Sequence, residues 1–330
     1  MSSLKWEKIE DPRINCRIDA HWNNLHYKQS LKGGEKEENR CCVLSARYKA
    51  YMDLVKNYEV REDDIWICTY PKSGTTWTQE MVWAINNGCD LETAKKLPLS
   101  SRSPTLRKII SIQAGIDDPA DVFVSMDPLN QVKPPYHIKN HLPAGLLPDK
   151  LWTVKPKIIY VARHPKDAAI SFYHYYRMVY QYEGTKDDFL SLFLEGLTEF
   201  GQQTTHLYDF WRMRNEPNIL FLTYEDMKKD LTAVLKQVAN FLDKELSEKQ
   251  IEELKKHLHI DSMRENTVVF NVKNNAELAE KLKTAHKDFF RRGEAGSHKD
   301  EMSEEMSKKF DALIKRELTD KGCNLYKPEQ

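Results

Sequence analysis

The chain has 330 residues, enough to bury one large α/β domain or two small ones. Its 50 basic and 50 acidic side chains give a formal net charge of zero. This balance argues against a broad surface for nucleic acid or membrane, so anion binding must come from local clusters. The six cysteines lack the spacing of a metal site or a disulfide framework, and we interpret them as reduced thiols of a cytoplasmic protein.

The N-terminal part carries no targeting pattern. The start MSSLKWEKIEDPR has no apolar core, and no segment of the chain is apolar over the length that a bilayer requires. The charged, glycine-bearing stretch at 32–40 predicts an exposed loop. We therefore expect a soluble protein with no membrane partner.

A strand, a tight loop and a helix are predicted in succession around the sequence TYPKSGTTWTQE. Residues 65–69 are mainly β-branched and aromatic, and apolar positions recur at helical spacing after Gly74. A helix N-terminus offers unpaired N–H groups and a positive dipole end to an anion. The loop therefore predicts a ligand like phosphate, bound by Lys72, Ser73, Gly74, Thr75 and Thr76.

The loop departs from the pattern G-x-x-x-x-G-K-[ST] of nucleoside triphosphatases. Lys72 precedes Gly74, and no first glycine stands four positions before it. An ordinary P-loop that hydrolyses ATP is thus disfavoured. A capped helix start with a surface lysine explains the same residues, and the loop alone does not decide between them.

Two further strands precede helical patterns. One strand covers 158–162 and is followed by the turn RHPKD, and another covers 219–223 ahead of a helix at 231–242. Ser247 and Gln250 form a capping box. The last helix has one apolar face, made by Met306, Phe310, Leu313, Ile314 and Leu318. Alternating strands and helices predict one α/β domain with a central parallel sheet flanked by helices and ligands at the carboxyl ends of the strands.

Five motifs in order identify the chain as similar to the cytosolic sulfotransferases: YPKSGTTW, K-x-H-L-P within YHIKNHLP, YVARHPKD followed by a serine, YEDM and R-R-G. The resemblance covers about residues 58–300. It implies transfer of a sulfuryl group from 3'-phosphoadenosine 5'-phosphosulfate (PAPS), with release of PAP, to a hydroxyl or amine of a small, aromatic or apolar acceptor.

The resemblance also assigns binding residues. It implies that the first loop and Trp77 hold the 5'-phosphosulfate, and that Arg163 and Ser171 hold the 3'-phosphate. The same phosphate would be covered by Arg291, Arg292 and Gly293. The acceptor pocket would include Tyr175 and Val179.

The chemistry of the residues agrees with this assignment. Sulfuryl transfer needs a base for the acceptor proton, and His141 titrates near neutral pH. Lys72 and Lys139 can face the negative charge that develops during transfer, which makes a metal unnecessary. We therefore predict His141, Lys72, Lys139 and Ser171 as the catalytic residues and no metal site.

Some positions depart from the family pattern. Asn140 stands for a usual threonine, and Thr204 for a tyrosine of the adenine site. Residues 258–260 (Leu-His-Ile) and Ser297-His298 also differ. A homodimer is possible, but the usual dimerisation motif is altered after Lys299. We divide the chain into an N-terminal extension at 1–57, packed on the domain, and a sulfotransferase domain at 58–330.

Three other functions remain open. A dehydratase of the same fold would sulfate an alcohol and then eliminate sulfate. A binding protein that has lost turnover is compatible with the altered adenine positions, although it would not need His141. A nucleoside kinase is disfavoured by the missing glycine and by the lack of an evident carboxylate for magnesium.

Overall fold

A computed structural model describes residues 4–17, 21–29, 38–116, 134–266 and 290–327. Its strands form two sheets. The N-terminal sheet is antiparallel, in the order β1-β2-β3, and the second sheet is parallel, in the order β5-β4-β6-β7. The strands are β1 Lys5–Lys8, β2 Trp22–Gln29, β3 Glu38–Ser45, β4 Ile65–Thr69, β5 His137–Asn140, β6 Lys157–Ala162 and β7 Ile219–Thr223.

Helices surround the parallel sheet, as predicted for an α/β domain. In the first half of the chain they are α1 Met52–Lys56, α2 Thr75–Asn86, α3 Leu91–Lys96, α4 Leu99–Arg102, α5 Leu106–Gln113, α6 Leu151–Val154 and α7 Pro165–Val179. In the second half they are α8 Lys186–Leu194, α9 Gln203–Arg212, α10 Tyr224–Lys229, α11 Leu231–Phe241, α12 Glu248–His257, α13 Ile260–Glu265 and α14 Glu304–Glu317. Short 3-10 helices cover Ala46–Ala50, Ala144–Leu146, Ser297–Asp300 and Thr319–Lys321.

Alternate residues of the parallel strands enter two apolar clusters on opposite faces of the sheet. In β4, Trp66 and Cys68 belong to one cluster, and Ile65 and Ile67 belong to the other. This follows from the period of two along a strand. The first cluster also contains side chains of β2 and β3, so the N-terminal sheet packs on the same core.

The parallel sheet brings distant parts of the chain together at one edge. Because all four strands run in the same direction, the residues that follow β4, β5 and β6 all lie at their carboxyl ends. These residues include the loop 70–74, His141 and Arg163. The predicted site is therefore assembled by the sheet.

Most predicted elements are confirmed to within a residue, and the capping box of Ser247 with Gln250 is present. The predicted loop at 32–40 is wrong at its end. Residues 38–40 begin β3, where Arg40 pairs with Tyr27 and its guanidinium contacts Asp209 at 3.3 Å. Pairing with β2 and the contact with the buried Asp209 carboxylate thus stabilise a strand here, although the composition of the segment is typical of a loop. Residues 32–37 lie outside the described residues.

Candidate active site

The loop between β4 and α2 has the geometry of an anion cradle. Gly74 is the N-cap of α2 with φ of 92°, and Lys72 also has a positive φ of 64°. A side chain at Gly74 would be strained, and its Cβ would come within 2.9 Å of the Tyr224 ring. The backbone therefore turns sharply and leaves the first N–H groups of α2 at the mouth of the loop.

Polar groups of the loop point to a ligand. The Ser73 hydroxyl and the Trp77 indole N–H are buried and have no hydrogen-bond partner within the described ranges. By contrast, Thr75 Oγ1 is held at 2.6 Å from Thr69 Oγ1. Because buried polar groups are usually satisfied, the unpaired groups fit an anion bound in the loop.

Arg163 follows β6 and joins the loop to a distant segment. Its guanidinium donates to the carbonyl oxygens of Lys72 at 2.8 Å and Glu294 at 3.2 Å, and it lies 4.4 Å from the centroid of the Tyr224 ring. Arg163 Nε is buried and has no hydrogen-bond partner among the described residues. Ser171 is half-buried in the second turn of α7.

The segment of Arg291, Arg292 and Gly293 is held against the same region. Arg264 donates to the carbonyl oxygen of Arg291 at 2.5 Å, and the Ile260 side chain packs on Gly293. The guanidinium of Arg291 pairs with Glu301, and that of Arg292 pairs with Asp300 at 2.5 Å. The charge of Arg291 lies close enough to lower the pKa of Lys72. Arg292 instead pairs with an exposed carboxylate, that of Asp300.

Asp167 fixes the end of this segment on α7. Its carboxylate accepts from the backbone N–H of Gly296 at 2.6 Å and of His298 at 2.9 Å, and it contacts His298 Nδ1 at 2.8 Å. These donors hold the pKa of Asp167 well below its usual value, although burial opposes them. His298, which departs from the expected sequence, thus supplies part of the anchor.

His141 directly follows β5, which positions its ring beside the end of β4. Nδ1 lies 2.8 Å from the carbonyl oxygen of Thr69. A carbonyl oxygen only accepts, so Nδ1 carries the proton and Nε2 is the basic nitrogen. Burial, with the charges of Lys139 and Lys72, holds the pKa of His141 well below its usual value. The ring is therefore neutral and able to take a proton.

Lys72 belongs to a cluster of cations at this edge of the sheet. Burial, followed by the charges of Arg163, Lys139 and Arg291, lowers the pKa of Lys72 well below its usual value. A bound anion would neutralise the repulsion among these groups. The arrangement suits a ligand with several negative charges.

Over residues 62–322 the sequence matches the family described as Sulfotransferase domain. The chain belongs to this family. Luciferin sulfotransferase of Photinus pyralis is 37% identical over 296 residues, which cover 87% of this chain and 79% of that protein. Sulfotransferase 1 family member D1 of Mus musculus is 33% identical over 81% of this chain and 87% of that protein. The prediction of a PAPS-dependent sulfotransferase is confirmed.

A solved structure agrees in fold. A crystal structure of retinol dehydratase in complex with androsterone and inactive cofactor PAP has a TM-score of 0.75 and 27% identity. The match covers 96% of each chain, so it includes most of the N-terminal residues of this sulfotransferase.

Aromatic residues flank the cation cluster of the sulfotransferase. Lys72 Nζ lies 5.3 Å from the centroid of the Tyr175 ring, and the Phe200 ring lies 5.4 Å from the ring of His141. Val179, the last residue of α7, is half-buried. Tyr175 was predicted from resemblance. Phe200 was missed, because no local pattern relates it to His141 fifty-nine positions earlier in the chain.

Two of the positions that depart from the family pattern are buried side chains. Thr204 is buried in α9 and Leu258 is buried after α12. The indole of Trp77 instead contacts the Tyr224 ring at 5.7 Å, and Lys228 Nζ lies 5.8 Å from the Trp77 centroid. Trp77, Tyr224 and Lys228 thus form an aromatic and basic cluster beside the loop.

The described residues also bear on metal sites and membrane spans. They contain no group of three or more histidine, cysteine, aspartate or glutamate side chains arranged to hold a metal ion. None of their helices is long and apolar enough to cross a membrane.

Proposed function

We propose that this sulfotransferase transfers the sulfuryl group of PAPS to a hydroxyl or amine of a small aromatic or apolar acceptor, with His141 as the base. The observation that carries the proposal is the contact of His141 Nδ1 with the Thr69 carbonyl at 2.8 Å. It leaves Nε2 basic in a ring whose pKa is lowered by burial and by Lys139. Such a ring is uncharged at neutral pH, so its Nε2 is available to take the proton that the acceptor loses as it attacks.

The residues at the strand ends fit the donor. Buried Ser73 Oγ and Arg163 Nε have no hydrogen-bond partner within the described part of the chain and can bind phosphate oxygens. The 5'-phosphosulfate would be held by Lys72, Ser73, Gly74, Thr75, Thr76 and Trp77. The 3'-phosphate would be held by Arg163, Ser171, Arg291, Arg292 and Gly293. When bound, PAPS supplies an activated sulfuryl group with a phosphate leaving group.

The catalytic roles follow from charge and position. His141 Nε2 would remove the acceptor proton as the acceptor oxygen or nitrogen attacks. Lys72 and Lys139 lie close enough to lower the pKa of His141, and each presents a positive charge to the group being transferred. This electrostatic stabilisation needs no metal ion, because two ammonium groups do the work of a cation at the same place.

The N-terminal segment contributes a wall beside these residues. Trp22 of β2 lies 5.1 Å from Tyr180, and Tyr180 lies 6.2 Å from Tyr175. We therefore propose that residues 1–57 shape the acceptor pocket of the domain at 58–330. All six cysteines are free, which agrees with a reducing, cytoplasmic location.

A dehydratase is the second candidate, favoured by the match to retinol dehydratase over 96% of both chains. Elimination needs an acceptor whose carbocation is stabilised, which a phenol or amine does not provide. The luciferin sulfotransferase match, at 37% identity, favours net sulfation.

The test is transfer of labelled sulfate from PAPS to separate pools of phenols, amines, aliphatic alcohols and allylic alcohols. Mass spectrometry of the products distinguishes the candidates. A stable sulfate ester or sulfamate supports the proposal, whereas a dehydrated allylic product supports the second candidate. If PAPS binds and no pool yields either product, the proposed acceptor class is wrong.

A further inference from the structure

The turn Thr198–Gly201 is fixed beside the predicted base. The Tyr70 hydroxyl contacts Thr198 Oγ1 at 3.2 Å and donates to the Gly201 carbonyl at 3.0 Å. Phe200 N–H donates to the carbonyl of Val43 at 2.7 Å, and Phe200 has a positive φ of 70°. A bulky residue keeps such a conformation only where its surroundings over-determine it.

The turn carries a carboxyl group next to Phe200. Glu199 Oε2 accepts a hydrogen bond from the Tyr180 hydroxyl at 2.9 Å, and Glu199 N–H donates to the Tyr176 hydroxyl at 2.8 Å. Phe200 lies 5.4 Å from the ring of His141. The carboxyl group is thus held beside tyrosines at the C-terminal end of α7, one residue before the phenylalanine whose ring lies near the base.

The Glu199 carboxyl group lies among the aromatic residues that we propose for the acceptor pocket. Tyr180 contacts Tyr175, whose ring lies 5.3 Å from Lys72 Nζ. Trp22 packs edge-on to Tyr180 at 5.1 Å. An acceptor whose reacting group lies at His141 would therefore meet aromatic walls and one carboxyl group.

Several elements face this carboxyl group. Burial raises the pKa of Glu199 to about 7, while the Tyr180 hydroxyl and the charges of Arg107, Arg47 and Lys139 act in the opposite direction. Among the described residues, further titratable groups near enough to interact with it are Tyr175 and Tyr176 of α7, Tyr70 after β4 and Cys42 of β3.

We propose that Glu199 is a specificity-determining residue that binds a hydrogen-bond donor, an ammonium or hydroxyl group, on the acceptor at a point away from the reacting hydroxyl. The proposal rests on the proposed function and narrows its acceptor class to phenols that carry a second donor. The aromatic rings around the carboxylate also favour an ammonium group.

Acceptor preference should then depend on pH. Above about pH 7 the Glu199 side chain is mainly a carboxylate, which accepts from two donors, and below that pH it is mainly protonated. Preference for an acceptor with an ammonium group therefore grows as the pH rises from 6 to 8. A ratio of two phenols cancels the titration of the shared base.

The experiment compares tyramine with 4-ethylphenol, which has no second donor. We measure kcat/KM for sulfate transfer at pH 6 and 8, and the dissociation constant of each phenol from the protein–PAP complex at the same pH values. The proteins are the wild type, Glu199→Gln and the control Glu195→Gln. Glu195 is exposed and pairs with Arg13 at 2.7 Å. Glutamine keeps the size of Glu199 and an acceptor for Tyr180.

The proposal predicts that Glu199→Gln lowers kcat/KM for tyramine about 10- to 100-fold, the cost of a lost charged hydrogen bond. The 4-ethylphenol value and the control stay within about threefold, and the pH dependence of the ratio disappears. Equal losses for both phenols, or a ratio independent of pH in the wild type, overturn it. If the wild type transfers no sulfate to either phenol, the dissociation constants decide. Equal affinity for the two phenols, or no affinity for either, overturns the proposal for Glu199. Tighter binding of tyramine than of 4-ethylphenol without transfer counts against the proposed function alone.

Discussion

At the scale of single residues, the chemistry depends on which nitrogen of His141 is basic. The Thr69 carbonyl selects the Nδ1–H tautomer, and nearby Lys139 and Lys72 disfavour a second proton. The sequence could predict the residue from its motif. It could not predict the tautomer, because Thr69 lies seventy-two positions earlier in the chain.

A pH profile checks this environment. The neutral base is the active form, and its lowered pKa keeps it neutral as the pH falls. We expect kcat/KM for PAPS, which reports the free enzyme, to show no loss from histidine protonation between pH 7.5 and 6.5. The described environment would be contradicted if kcat/KM of the wild type fell to half its maximum at or above pH 6.5 and this pH dependence were absent in His141→Gln.

Motifs in the sequence predicted some residues near the strand ends but not others. Lys72, Arg163 and Tyr175 were predicted and meet at the strand ends. Glu199 and Phe200 were not, since they lie in a turn between α8 and α9 with no motif of their own. Their neighbourhood is created by the tertiary fold.

At the scale of elements, a buried ion cluster ties α2 to two other helices. Glu80 Oε2 accepts from Arg102 at 2.7 Å, and its Oε1 contacts His257 Nε2 at 2.8 Å. Both side chains of the Glu80–Arg102 pair are buried. The cluster fixes α2, the helix that follows the loop 70–74, against α12, which leads into residues 258–260.

Removing Glu80 should be costly for stability. Glu80→Ala leaves Arg102 buried and unpaired, for which we expect a loss of about 3–5 kcal/mol in the free energy of unfolding. Urea denaturation followed by circular dichroism measures it. The exposed pair of Glu92 with Lys95 at 3.1 Å supplies the control, with about 0–1 kcal/mol for Glu92→Ala. Equal effects of the two variants would show that the buried cluster does not stabilise the fold.

Element prediction succeeded where one pattern dominated the segment. β4, β6 and β7 are short apolar runs, and the structure confirms them. Strand β5 was not predicted, because its four residues, HIKN, alternate too briefly to show a period. The N-terminal strands were also missed, because they contain many polar residues and form no apolar run. Such a composition is common in an antiparallel sheet that has one exposed face.

At the scale of the whole molecule, the site is an association of like charges. Lys72, Lys139, Arg163 and Arg291 converge from separate parts of the chain and depress the pKa of Lys72. Their repulsion opposes folding of the free protein, whereas an anion shared among them stabilises the folded state. The sequence has zero net charge, so composition gave no sign of this local field.

Ligand binding should therefore stabilise the fold. PAP at about a hundred times its dissociation constant should add about 2.7 kcal/mol to the free energy of unfolding. Thermal unfolding with and without PAP measures the effect, and added salt should weaken it. Adenosine, which lacks phosphates, is the control. An equal rise in melting temperature with adenosine would contradict a site based on charge.

The proposed mechanism depends most on His141 acting as the base for sulfuryl transfer. Its direct test is single-turnover transfer of labelled sulfate from bound PAPS to an accepted phenol, in the wild type and His141→Gln, with PAP affinity measured on both. We predict a rate lower by about a hundredfold or more in the variant, as expected for loss of a general base, and unchanged PAP affinity. Transfer by His141→Gln at nearly the wild-type rate, with the same affinity for PAP, would show that His141 is not the base.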